Sequence, residues 1–146
     1  MFDTLAAQIG AVFVVAICAF AFLKGDEPER VAAGAYILGW FACLLSQDQS
    51  EHYNIRVSIF AVIFAVDLIM LVVFGALVWK SRRVWPVWAA ACQLIIVTSH
   101  MISLVDARPS LLAFLTVVNL AGYGVLISIA AGTFWAWQER RAAGLE

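Results

Sequence analysis

Five long apolar runs, separated by short polar segments, restrict this chain's fold more than any other feature of its sequence. A backbone in hydrocarbon must satisfy its own N–H and C=O groups, so an apolar run that crosses a bilayer does so as a helix of about 20 residues. The runs cover 5–23, 29–46, 55–79, 84–105 and 110–137. The second is short, at Val31 to Leu45, unless it takes in the Pro28-Glu29-Arg30 turn before it. Hydrophobic residues make up 64% of the 146 positions and charged residues 13%, about half the charged share of an ordinary soluble domain. No water-soluble module of useful size remains outside the runs. The expected fold class is therefore all-α: one transmembrane helical domain over 1–146, a bundle of five spans.

The direction of the spans follows from the basic residues. With the N-terminus outside and the C-terminus in the cytoplasm, Lys24, Arg30, Lys80, Arg82, Arg83, Arg140 and Arg141 are cytoplasmic, and only Arg56 and Arg108 lie outside. The tryptophans give the same direction: Trp79, Trp85, Trp88, Trp135 and Trp137 fall at the cytoplasmic boundary, where an indole keeps its N–H among headgroups. Tyr53 is a weaker anchor for the opposite face. Pro28, Pro86 and Pro109 each sit in the opening turn of a helix, where the missing N–H costs nothing. Asp26, Glu27 and Glu29 suit the positive end of the second helix and read as a solvated turn. The first run is kept as a permanent helix and not as a signal peptide, because Met1–Gln8 carries Asp3 and no basic residue.

Several function classes drop out. A net charge of −1 offers nothing to a nucleic acid. Cys18, Cys43 and Cys92 are scattered through apolar runs and read as small packing residues. There is no nucleophile elbow, phosphate-binding glycine loop, H-E-x-x-H or dinucleotide fingerprint, so an enzyme is not expected. Two stripes of small residues, Ala35, Gly39 and Cys43 in the second run and Gly124, Ser128 and Gly132 in the fifth, with Gly122 beside it, predict close helix packing.

The polar residues within the runs carry what functional signal there is. Asp67 lies near the middle of the third run, where insertion of a carboxylate costs about 2.5–3.5 kcal/mol. No Lys or Arg lies deep in any run to neutralise it, which leads one to expect a protonated, hydrogen-bonding carboxyl group. Gln93, Asn119 and Tyr123 stand at similar depth, with Asn119 and Tyr123 on one helix face and Gln93 and His100 on another. Together with His100, nearer the outer end of the fourth run, they form the candidate polar intramembrane site. Two readings stay open: an internal hydrogen-bond cluster that fixes helix register, or a proton or ligand site. His100 and His52 are conceivable ligands for haem or a divalent metal, but their spacing points to neither, and no cofactor is expected. The loops near that mouth supply Asp48, Glu51, Arg56, Asp106 and Arg108, and the Asp48–His52 run could start a short surface helix.

The stretch Trp85-Pro86-Val87-Trp88, then Gln93-Leu94 and His100, with Asn119, Tyr123 and Gly132-Thr133-Phe134-Trp135 downstream, resembles a group of small, uncharacterised multi-pass proteins of bacterial genomes. The resemblance covers the C-terminal half. It implies a bacterial inner membrane and brings no activity, cofactor or catalytic residue.

The leading expectation is thus a non-enzymatic accessory, interaction or structural subunit, surrounded by lipid and associating with its own copies or with other membrane subunits. The alternative is a small transporter or proton-coupled protein with its site at Asp67. A third class is a haem or metal redox protein using His100.

Overall fold

The computed structural model describes residues 5–52, 56–105 and 110–144, with side chains described over 8–45, 61–105, 110 and 112–144. Five helices follow one another: α1 (Leu5–Lys24), α2 (Glu27–His52), α3 (Arg56–Lys80), α4 (Trp85–Val105) and α5 (Leu111–Ala142). Among the described residues there is no strand. The segments Ala61–Lys80, Trp85–Val105 and Leu112–Ala142 are long and apolar enough to cross a membrane, and Gln8–Lys24 is a shorter apolar helix. These are the features of a membrane protein.

The helices run alternately up and down. Each packs on its neighbour in the chain, and α1 closes the ring by packing against α5, while α2 also reaches α5 across the bundle. Ion pairs join the C-terminal ends of α3 and α5 and the turn before α4 to the N-terminal end of α2, and Arg140 donates to the last carbonyl of α1; this end is here termed the charged end. The turns that allow this are short. Gly25 continues the backbone ladder of α1 by donating to the Ala21 carbonyl at 2.8 Å. A Cβ on it would stand 2.4 Å from that same oxygen and 2.7 Å from Glu29 Cβ. Only glycine fits so tight a reversal.

Two helices exceed their apolar runs. Expected over 29–46, α2 begins at Glu27 and continues to His52, so the Asp48–His52 run belongs to α2 itself. Expected to end near 137, α5 continues to Ala142, carrying Arg140 and Arg141 in its last turn, where they complement the negative end of the helix dipole. Pro28 and Pro86 occupy opening turns of α2 and α4; Pro109, Asp106 and Arg108 lie outside the described residues, as do the side chains of Asp48, Glu51, His52 and Arg56 and all of Tyr53.

The core is a column of buried side chains, among them Val14 and Cys18 of α1, Ala32 and Ala33 of α2, Met70, Phe74 and Leu77 of α3, Ala89 of α4, and Val125 and Ile129 of α5. The small residues bring these helices close, since lipid tails give them no hydrophobic reason to associate. A Cβ at Gly39 would meet Val66 at 3.2 Å, one at Gly124 would meet Cys92 Sγ at 2.6 Å, and one at Gly132 would meet the Trp85 ring at 2.5 Å. Large apolar side chains such as Val72, Leu104, Leu112 and Ile127 cover the outside.

Candidate functional site

Asp67 lies near the middle of α3 and points at α4. Gln93 of α4, 1% exposed, donates its Nε2 to Asp67 Oδ1 at 3.0 Å and to the Asp67 backbone carbonyl at 3.3 Å. Seven residues further along the same face of α4, His100 brings Nδ1 to 3.4 Å from Asp67 Oδ2. That nitrogen also lies 3.0 Å from the Ile96 carbonyl. A carbonyl oxygen only accepts, so Nδ1 carries a proton and the imidazole donates there. Asp67 Oδ1 thus accepts from the Gln93 amide, and Oδ2 lies within ion-pair distance of an imidazole nitrogen whose proton is directed at Ile96.

Aromatic rings wall the site. Phe64 of α3 stands 6.3 Å from the His100 ring, and Phe114 of α5 meets it edge-on at 5.2 Å. Towards the charged end, Met70 and Phe74 follow Asp67 on the same face of α3 and are buried together with Val125 and Ile129. That side is mainly apolar, with Tyr36 packed against the same core and Ser128 and Thr133 buried further along α5. In chemical terms the cluster can hold a proton between a carboxyl group and an imidazole, with the amide of Gln93 steadying the carboxyl.

Asp67, Gln93 and His100 are thus brought together, and Asn119 and Tyr123 are not part of that contact. Asn119 is exposed on the outer face of α5. Tyr123, 47% exposed, turns its hydroxyl towards α1, where a Cβ on Gly10 would stand 3.6 Å from it. The polar link between α2 and α5 comes instead from Tyr36, whose hydroxyl donates to the Gly122 carbonyl at 3.4 Å. Among the described residues no three His, Cys, Asp or Glu side chains converge as a metal-binding group.

A second polar cluster, at the charged end, was not legible as a site. Glu29 was expected in a solvated turn and Trp85 among headgroups. The structure corrects both: Glu29 is fully buried and Trp85 is 3% exposed. Their contact explains why. Trp85 Nε1 donates to Glu29 Oε1 at 2.8 Å, and Arg83 reaches the same oxygen at 3.3 Å. Glu29 Oε2 accepts from the Asp26 backbone N–H at 3.0 Å, and the Asp26 carbonyl accepts from Arg30 N. This is the returning half of a capping box, in which the third residue of the helix satisfies the N–H of its cap. Arg83 also pairs with Asp26 at 2.6 Å and with Glu139 at 3.2 Å. Arg140 pairs with Asp26 at 2.7 Å and donates to the Lys24 carbonyl. The spacing Asp26-x-x-Glu29 just before an apolar run was the available signal for the cap; nothing local in the sequence announced the indole 56 residues away.

No protein-family model, curated protein or solved structure matches this chain, so its function is argued from the geometry alone.

Proposed function

We propose that this chain is a five-span bundle of the bacterial inner membrane, N-terminus outside and C-terminus in the cytoplasm, whose Asp67–His100 pair binds and releases a proton. The observation that carries this reading is the approach of His100 Nδ1 to Asp67 Oδ2 at 3.4 Å between helices. An intramembrane acid is a functional candidate by default, and an imidazole in contact gives it a neighbour whose nitrogens can hold or accept a proton. For the five spans, the support is length and alternation: α1 has 20 residues and α2 has 26, about 30 and 39 Å at 1.5 Å per residue. For the orientation, it is the concentration of Lys24, Lys80, Arg82, Arg83, Arg140 and Arg141 at the charged end.

Met70, Phe74 and Ile129 are buried between Asp67 and the charged end and make that side of the site mainly apolar. The chain then acts as a proton-responsive subunit or as a proton carrier. Infrared difference spectroscopy of the protein in liposomes tests this directly. Stepping the pH should reveal a carboxylic C=O band that is missing in Asp67→Asn and displaced in His100→Gln. A spectrum identical in wild type and Asp67→Asn would sink the proton site.

A second reading is favoured by the hydrogen bonds of Gln93, which fix α4 against α3. Here the bundle is a structural or interaction subunit and the cluster sets helix register. Asp67→Asn would then leave every functional readout intact, and only Asp67→Leu, which removes the acceptor, would loosen the bundle.

A further inference from the structure

We propose that the outer face of α5 is a self-association surface, on which the Asn119 amide pairs with its counterpart in a second copy of this chain inside the bilayer. The proposal rests on the spanning reading given above and goes beyond it by naming a partner. Asn119 is exposed, and its side chain makes no hydrogen bond among the described residues. The exposed hydroxyls of this bundle behave differently. Thr116 donates to the Leu112 carbonyl at 2.8 Å and Ser99 to the Ile95 carbonyl at 2.8 Å, so each is satisfied within its own helix. Asn119 has no such outlet. It lies eight residues into α5, about 12 Å along the axis, which is well inside a hydrocarbon layer about 30 Å thick. With no water there to serve it, an open amide costs several kcal/mol.

The neighbouring residues form a docking face. Leu112, Thr116, Asn119, Tyr123 and Ile127 are all exposed and follow at intervals of four, three, four and four, the spacing of a helix–helix seam. A polar residue within such a seam fixes register and partner number. The occupant follows from the chemistry of the group. An amide donates and accepts, so it complements itself across a two-fold axis. Copies inserted by the same rule share one orientation. Their α5 helices therefore run parallel, and Asn119 meets Asn119 at equal depth. No other partner has this match guaranteed.

Oxidative disulfide crosslinking in native membranes tests the pairing, with Thr116→Cys as the reporter on the seam and Leu94→Cys, on the exposed side of α4, as the control. Thr116→Cys should give a crosslinked dimer and Leu94→Cys should not. Adding Asn119→Leu should reduce the dimer yield about tenfold, in line with interhelical polar contacts, and Asn119→Gln should restore most of it. Side-specific labelling of cysteines placed at both ends of α5 in the same membranes checks the span separately. If α5 spans but Thr116→Cys stays monomeric, crosslinks a different protein, or crosslinks equally well with Asn119→Leu, the proposal is overturned. If the labelling shows that α5 does not span, the underlying reading falls with it.

Discussion

Glu29 is fully buried in this bundle and the Asp67 side chain is 15% exposed, and their surroundings differ in kind. Glu29 sits at the charged end, in reach of the Arg83 guanidinium, the Trp85 indole N–H and a backbone N–H. Asp67 sits halfway along α3, facing an amide and an imidazole, with no guanidinium or ammonium among its described contacts. A carboxylate held by a permanent cation and several donors is tied to all of them at once, and removing it strands every partner. One held by Gln93 and His100 has partners that accommodate either charge state, since an amide can donate or accept and an imidazole can gain or lose a proton. The difference separates a fastening from a site that can change state. It also matches the positions: the fastening lies among the ion pairs of the charged end, and the changeable pair lies where aromatic rings wall it.

The sharpest way to break this comparison is to remove Glu29. Glu29→Ala leaves Trp85 Nε1 and the Asp26 N–H without acceptors and Arg83 short of a buried partner. We expect a loss of about 3–5 kcal/mol, read as a large fall in the thermal unfolding midpoint in a fixed detergent. A midpoint within a degree or two of wild type would show that the charged end does not hold the bundle together.

Next in size is Gly132→Ala. An added Cβ would fall 2.5–2.6 Å from three atoms of the Trp85 ring, so the indole must move away from Glu29. The expected cost is about 1–3 kcal/mol, as for other overpacked cores. A double-mutant cycle with Trp85→Phe should show strong coupling, because the smaller ring relieves the clash and has already given up the hydrogen bond. Additive effects would place Gly132 outside the fastening.

At Asp67 the effect on stability should be smaller and chemical in origin. Asp67→Asn keeps an oxygen for Gln93 Nε2, and we expect less than about 1 kcal/mol from it. Glu29→Gln, which is also neutral and nearly the same shape, should cost about 1–3 kcal/mol, because the charge matched to Arg83 disappears. Equal losses for the two amide variants would erase the distinction between fastening and changeable site.

How much of this was legible depended on whether a signal was local. Helix content, the placing of Pro28 and Pro86 in opening turns and the small-residue stripes follow from runs and spacings along the chain, and the helices sit where those predict. The ends of α2 and α5 were less legible, because the polar residues that close an apolar run are also good helix formers and carry the helix past it. Within the candidate site, Gln93 and His100 share a face by their seven-residue spacing, which made their joint appearance readable. That this face turns towards Asp67, while Asn119 turns outward, depends on how α4 and α5 rotate about their axes. Rotation is set by close contacts such as Gly124 against Cys92 and Gly132 against Trp85, each between residues more than 30 positions apart. The burial of Glu29 depended on the same long-range packing. Four acidic and basic residues near a turn look solvated until an indole from another helix is laid over one of them.

The smallest expected effect comes from the most exposed ion pair at the charged end and shows where the fastening stops. Lys80 Nζ meets Glu27 Oε1 at 2.9 Å, a shorter contact than that of Arg83 with Glu29, yet the two side chains are 76% and 75% exposed. Water and salt screen such a pair, and ordering two long side chains offsets most of the attraction, so it contributes about 0–1 kcal/mol. Lys80→Ala should therefore shift the unfolding midpoint barely beyond error, and raising the salt concentration should remove even that. The same salt should hardly change the loss from Glu29→Ala, because Glu29 is fully buried and Trp85 with it. If Lys80→Ala proved as damaging as Glu29→Ala, burial would not be what distinguishes the fastening, and the charged end would have to be treated as one shared network in which distance alone sets the strength of each pair.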